Sequence, residues 1–289
     1  MNALIGILLA IESLHTGSLP RQWRASGPNC TETADWQVHE YNPNLFIIRE
    51  SGCTNYEKPF LYLFFGESKA LLQDTGAGDT DIDRFIPKLL EQWAKRNNKP
   101  VPPLLVVHSH SHGDHVSGDK KLAALPNVTV VTAKPELIEK ALNITNWPKQ
   151  TGVIDLGGGR LIDAIPIPGH DTADLALYDR QTALLLTGDT LYPGRLYVRN
   201  FPDYVESINR LVDFTRELPV AHILGTHIEQ SRTPFTDYKV RTVHQPNEAV
   251  LELSRGDLLE LQAALAAMQG KPRRQALSCF TISPRVSLP

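Results

Sequence analysis

The sequence predicts an α/β protein in which two sheets pack face to face with helices outside them, a four-layer sandwich. Three observations carry this expectation. The first third of the 289 residues is dominated by alternating apolar segments, the second half repeats the strand-like rhythm, and each group is followed by helical segments with a single apolar stripe. A sheet and an amphipathic helix each have an apolar face to bury, and layering helix, sheet, sheet and helix buries all of them.

The elements follow in order. WQVHEY, NLFIIRE, FLYLFF and KALLQD read as antiparallel strands, with Asn42-Pro43 and Gly66-Glu67 as turn signals between them. From about Asp81 to Arg96, Phe85, Leu89 and Trp93 recur at helical spacing, and prolines beyond Lys99 stop the helix; these aromatics read as core. PLLVV is a buried strand by its continuous apolar run. VTVVTA is a strand, PELIEKAL a helix, RLIDAIPIP, DLALYD and TALLLTGD strands, and FPDYVESINRLVDFTREL a long amphipathic helix. VAHILGTH is the last strong strand, and an apolar helix lies near Asp257 to Met268. KPRRQALSCFTISPRVSLP has no periodicity and reads as a loosely ordered tail. The organisation expected is an amino-terminal segment over 1–32, one catalytic domain over 33–270 and a tail over 271–289.

MNALIGILLAI has the apolar length of a secretory h-region without the basic residues that normally precede it, so it reads as a degenerate export signal or as a helix packed on the domain. Glu12 interrupts it well before about 20 apolar residues accumulate, which excludes a membrane span there. Cys30, Cys53 and Cys279 match no metal-binding spacing. A Cys30–Cys53 bridge makes sense in an exported protein, and three free thiols suit a cytoplasmic one. Hydrophobic content of 42%, charged content of 21% and a net charge of −3 are ordinary for a soluble globular protein and give no electrostatic reason to expect nucleic acid or an anionic membrane, which leaves small or neutral substrates open.

The chemistry concentrates in HSHSHGDHVSG, residues 108 to 118, directly after the PLLVV strand. His110 and His112 are two residues apart and share a side of an extended segment, while Asp114 and His115 lie on the turn into a helix and face a second point. One loop can thus serve two metal ions. Imidazole and carboxylate are the usual nitrogen and oxygen ligands of zinc. A rival register of His108, His110 and His112 leaves Asp114 and His115 without a task. One loop cannot fill two coordination shells, and further donors appear at other strand ends: His170 in IPIPGHDTAD, Asp189 in LLLTGDTLY and His227 in VAHILGTHIE. His15, His39, His222 and His244 read as ordinary surface or core residues.

SHSHGDH, PGHDTAD, TGDTLY and LGTH, in this order, resemble the successive motifs of the metallo-β-lactamase superfamily, over a stretch from about Trp36 to Glu229. LLQDTGAG resembles that family's early Asp-Thr-Gly turn, which makes Asp74 a supporter of ligands rather than a ligand. The resemblance implies an αβ/βα sandwich with a dinuclear centre along one edge, two zinc ions per chain, with iron or manganese also compatible. His110, His112 and His170 would take one metal, Asp114, His115 and His227 the other, and Asp189 would bridge. It also implies hydrolysis by a metal-bound hydroxide, with Asp114 orienting that group and moving a proton.

The bridging Asp189 makes the chain resemble glyoxalase II-like thioesterases and lactonases more than true zinc β-lactamases. Tyr192 resembles the tyrosine that lactonases place beside the substrate carbonyl, where a phenol would donate to an oxyanion; otherwise it packs the turn before Pro193-Gly194. After His227 there is no recognisable glutathione-binding segment, which disfavours glyoxalase II itself. The expected activity is therefore hydrolysis of an ester, thioester, lactone or lactam. A mononuclear iron oxidoreductase of the persulfide dioxygenase kind is the alternative, since the same donors suit iron. The absence of a Lys/Arg-rich patch opposes nucleic-acid processing.

Overall fold

The computed structural model describes residues 14–30 and 34–284. The apolar run over 1–11, with its two readings, lies outside them.

The first sheet is built from β1 (Trp36–Asn42), β2 (Leu45–Glu50), β3 (Phe60–Phe65) and β4 (Ala70–Gln73), then β5 (Leu104–Val107) after helix α1 (Ile82–Asn97). The short helices α2 (Gly113–Val116) and α3 (Asp119–Ala123) lead to its last strand, β6 (Val128–Val130). The strands lie side by side in chain order, antiparallel as far as β4 and parallel from β4 to β6. FLYLFF is apolar at every position because both faces of β3 are covered. Phe60, Tyr62 and Phe64 point toward the second sheet, and Leu61, Leu63 and Phe65 toward α1. There the Trp93 ring of α1 stacks on Phe65 with centroids 4.7 Å apart.

The second half supplies α4 (Pro135–Leu142), β7 (Gly152–Asp155), β8 (Leu161–Pro166), β9 (Leu175–Asp179), β10 (Leu184–Gly188), β11 (Arg195–Val198) and α5 (Phe201–Phe214). It continues with β12 (His222–Gly225), β13 (Glu252–Leu253), α6 (Arg255–Ala267), β14 (Gln275–Ala276) and β15 (Thr281–Pro284). The second sheet runs in the order β13-β12-β10-β9-β8-β7. Leu177, Leu184, Leu186 and Leu224 on its inner face join Leu45, Ile47 and Phe64 in the central core. On the outer face Ile165, Leu185 and Ile223 meet Tyr204, Ile208 and Leu211 of α5 and Leu258, Leu261 and Leu265 of α6. The result is the four-layer α/β sandwich expected from the sequence.

The carboxyl-terminal tail departs from expectation. Residues 275–284 are not loose: β15 pairs in parallel with β11 and antiparallel with β14, forming a third small sheet. Phe280 and Ile282 are fully buried in the α5/α6 core, which is what orders the segment. Strands of two and four residues are too short to show a period, so nothing in the sequence announces them.

Two features fix the periphery of the domain. Cys30 and Cys53 are joined in a disulfide, with Cα atoms 5.3 Å apart, while Cys279 is free. The long connection from β12 to β13 is pinned by Glu248, whose carboxylate takes two bonds of 2.6 Å from Arg49 and one of 3.0 Å from Lys58, all three side chains being buried. Burying one carboxylate against two cations is tolerable only because its oxygens are so fully bonded.

Candidate metal centre

Every sequence-predicted donor lies just beyond the carboxyl end of a strand: the HSHSHGDH loop after β5, His170 after β8, Asp189 after β10 and His227 after β12. Two glycines permit the close approach. Gly188 has φ of 53°, and a Cβ there would stand 2.7 Å from the Cβ of Ser109, so only glycine lets the β10 end abut the histidine loop. Gly169, at φ of 151°, brings His170 against the backbone of α5, with a Cβ position 2.5 Å from Tyr204 Cα.

The donors form two groups, His110, His112 and His170 in one, Asp114, His115, Asp189 and His227 in the other, with the donor atoms of each group within 4.8 Å of one another. In the first, His112 Nδ1 lies 2.9 Å from His110 Nε2 and 3.0 Å from His170 Nε2. In the second, Asp114 Oδ2 is 3.1 Å from His115 Nε2 and 3.3 Å from His227 Nε2.

The far ring nitrogens are engaged elsewhere, and this sets which nitrogen faces inward. His170 Nδ1 meets Tyr197 O at 2.8 Å, His227 Nδ1 meets Glu57 O at 2.9 Å, and His115 Nδ1 meets Asp74 Oδ2 at 3.0 Å. His110 Nδ1 faces Ser109 Oγ at 3.1 Å. Asp74 is wholly buried in the left-handed region at φ of 67°, and it also accepts 2.7 Å bonds from Ser109 N and Oγ. Acceptors behind imidazoles are the usual means of holding metal ligands in one tautomer and orientation.

The two groups differ electrically. Burial, reinforced by the neighbouring imidazoles, pushes His110 well below its ordinary value, His112 to about 4 and His170 down, so this trio is neutral. In the second group burial opposes every charge but is outweighed. His115 and His227 are held well above the usual histidine range by Asp114, Asp74 and Asp189, and those histidines hold Asp114 and Asp189 well below the carboxylate range. A divalent cation would replace the protons that balance these carboxylates. Neutral imidazoles in one group and carboxylates with imidazoles in the other fit a cation of the zinc type.

His108 joins neither group. Its Nδ1 lies 3.2 Å from His115 O and its Nε2 3.2 Å from Asp119 Oδ2, so it stands at the back of the loop, outside both groups. Tyr192 is also placed otherwise than a carbonyl-facing role requires. Its ring lies 5.6 Å from that of His227, but its hydroxyl donates to Arg195 O at 2.6 Å and lies 3.1 Å from Glu229 Oε2. The ring is clamped by Gly194 and Gly225, where added Cβ atoms would approach it to 2.4 and 2.3 Å. These contacts tie its hydroxyl to the β10–β11 turn, while the residue still lines the cleft beside the second group.

A cleft of about 310 Å³ opens onto the groups, walled by Tyr56–Lys58, by Tyr192 to Arg199 and by Lys239 to Gln245. Apart from Tyr192, which follows the TGDTL motif, sequence reasoning missed these walls, because they come from three separate segments and the other wall residues carry no motif.

The fold and the two groups together define a metal-dependent hydrolase. The sequence profile of the metallo-beta-lactamase superfamily matches residues 59–227, and the chain belongs to that family. It is 24% identical over 231 residues to the acyl-coenzyme A thioesterase MBLAC2 of Bos taurus, covering 67% of this chain and 81% of the relative. It is 26% identical to the hydroxyacylglutathione hydrolase of Bartonella quintana (strain Toulouse) over 204 residues, 68% of this chain and 78% of the relative. Among solved structures, a metallo-beta-lactamase from Pontibacter korlensis superposes with a TM-score of 0.54 at 17% identity, over 80% of this chain and 99% of its own. The metallo-beta-lactamase FIM-1 from Pseudomonas aeruginosa, in a mono-zinc form, gives 0.55 at 13% identity over 83% and 98%. These likenesses at low identity concern the fold.

Proposed function

We propose that the chain is a dinuclear zinc hydrolase that cleaves an acyl bond, a thioester or related ester before a lactone or lactam. The observation that carries the two-metal reading is the orientation of Asp189. Its Oδ2 lies 3.6 Å from His170 Nε2 and 3.9 Å from His110 Nε2, while its Oδ1 lies 3.2 Å from His227 Nε2 and 3.8 Å from His115 Nε2. One carboxylate thus addresses both groups, held by Thr226 Oγ1, which donates to Oδ1 at 2.5 Å. The first group is His110, His112 and His170, the second Asp114, His115 and His227, and Asp189 serves both.

Two zinc ions held by these residues would supply Lewis acidity toward an acyl oxygen and would bring the pKa of water toward neutrality. The chain's own part is orientation and proton transfer. Asp114, ionised and only partly exposed at the cleft floor, is the group positioned to accept a proton from attacking water and return it to a leaving thiol or alcohol. The thioester preference is supported by the names of two relatives, an acyl-coenzyme A thioesterase and a hydroxyacylglutathione hydrolase.

The test is a hydrolysis screen of thioesters, lactones, phosphoesters and β-lactams on protein of known metal content. Asp114→Asn is expected to keep most of its metal and lose turnover by roughly 100-fold or more, because an amide cannot take up the proton. Parental turnover in that variant removes Asp114 from the mechanism. One tightly bound iron with oxygen consumption on a persulfide replaces the whole reading with the oxidoreductase one.

A further inference from the structure

The cleft wall carries five basic side chains, Lys58, Arg195, Arg199, Lys239 and Arg241, in a chain whose net charge is −3. Two of the five are answered. Lys58 lies 3.0 Å from Glu248, and Arg195 lies 2.5 Å from Glu229. Arg199, Lys239 and Arg241 are exposed and make no ion pair with a carboxylate among the described residues. Of the acidic groups in the same cleft, Asp114 and Asp189 belong to the donor groups, Glu229 is bonded to Arg195, and Glu57 accepts from Tyr56 Oη at 3.0 Å.

The three unanswered cations are brought together by the fold. Arg199 follows β11, where its backbone N donates to Gly169 O at 3.0 Å, one residue from His170, and its charge bears on both His112 and His170. Lys239 and Arg241 stand on the β12–β13 connection, with the Arg241 guanidinium 5.9 Å from the centre of the Tyr56 ring. That connection is held over the cleft by Glu248 against Arg49 and Lys58.

We propose that Arg199, Lys239 and Arg241 form a specificity rim for a substrate with an anionic arm, a carboxylate or a phosphate, whose acyl carbon lies at the two donor groups. This rests on the hydrolase reading above and narrows it. A guanidinium offers forked donors matched to carboxylate and phosphate, and an ammonium adds a point charge. A neutral lactone or alkyl ester leaves all three unanswered. A long polyanion would need an extended basic face, whereas these cations are confined to one cleft of a net-negative chain. Because the rim is exposed, its attraction weakens as salt rises.

The test uses the metal-loaded full chain and three thioesters sharing one acyl group, made with N-acetylcysteamine, glutathione and coenzyme A. The first is neutral at the thiol side, the second carries carboxylates and the third phosphates. Arg199→Gln, Lys239→Gln and Arg241→Gln combined should raise KM for a charged thioester at least about 10-fold more than for the neutral one, three exposed ion pairs being lost. Titration calorimetry with S-ethylglutathione and S-ethyl coenzyme A, which have no acyl bond to cleave, should show the same loss of affinity. Whichever thioether binds the parent chain more tightly identifies the arm as carboxylate or phosphate. Equal KM changes across the three substrates, or unaltered thioether affinity in the triple variant, overturn the proposal. If no thioester is hydrolysed the thioester preference of the hydrolase reading fails, and the thioether titration alone then decides the rim.

Discussion

The two donor groups sit side by side on the same strand ends, yet one is prepared by exclusion of water and the other by balance of charge. His110, His112 and His170 are neutral because burial and their own crowding disfavour a proton. Asp114, Asp189, His115 and His227 are charged despite burial because each sign finds the other within 3.1 to 3.8 Å. Burial alone therefore does not decide ionisation; the sign and number of neighbours do. Asp189 belongs to both regimes, which makes it the place where the contrast is most easily broken.

Asp189→Ala should have the largest effect, lowering metal content at both groups and activity by roughly 1000-fold or more, beyond what loss of a supporting residue costs. Elemental analysis showing two metals retained would mean that Asp189 bridges nothing. Next, His112→Ala and His227→Ala should each leave about one metal of two, since each removes a donor from a single group. Loss of both metals from either variant would merge the groups into one cooperative site.

A smaller effect concerns Glu50, buried behind the second group, with Oε2 accepting from Ala77 N at 2.7 Å. Burial, with a smaller push from Asp35 and Asp114, raises its carboxyl from 4.5 to about 8. The native state then holds a proton that the unfolded state has released between those values. The stabilisation is complete below about pH 4.5 and is lost as pH rises through 8. Glu50→Gln keeps an acceptor for Ala77 without the ionisation. In metal-free protein it should match the parent in thermal melts near pH 5 and exceed it by roughly 3 kcal/mol near pH 8. A constant difference across that range would show that Glu50 does not titrate there. The smallest effect belongs to Tyr192→Phe. With its hydroxyl bonded to Arg195 O, turnover of any substrate should change less than about 3-fold; a loss of 100-fold, the size of a missing oxyanion donor, would restore the carbonyl-facing role.

Much of this architecture was legible in the sequence because its determinants are local. FLYLFF and NLFIIRE mark doubly covered strands, and HSHSHGDH places donors of both groups within eight positions. His170, Asp189 and His227 could be read because each ends a strong apolar run. The rest depends on contacts across long stretches of chain. Arg49 and Glu248 are 199 residues apart, and neither Lys239 nor Arg241 carries a mark of the cleft it faces. His108 shares the two-residue spacing of His110 and His112, but Asp119 on α3 draws it to the other side of the loop. For Tyr192 the turn was foreseeable and the direction of one hydroxyl was not.

The pairing of β15 with β11 has a consequence for how the protein is made. β11 carries Tyr197, whose carbonyl oxygen fixes the ring of His170, and β15 is the last described strand to emerge from a ribosome. A nascent chain displays all seven donor side chains once His227 is synthesised, yet the strand that steadies one of them still lacks its neighbour for more than 50 further residues. Completion of the strand pair behind His170 thus waits on β15 rather than on the appearance of the histidines themselves.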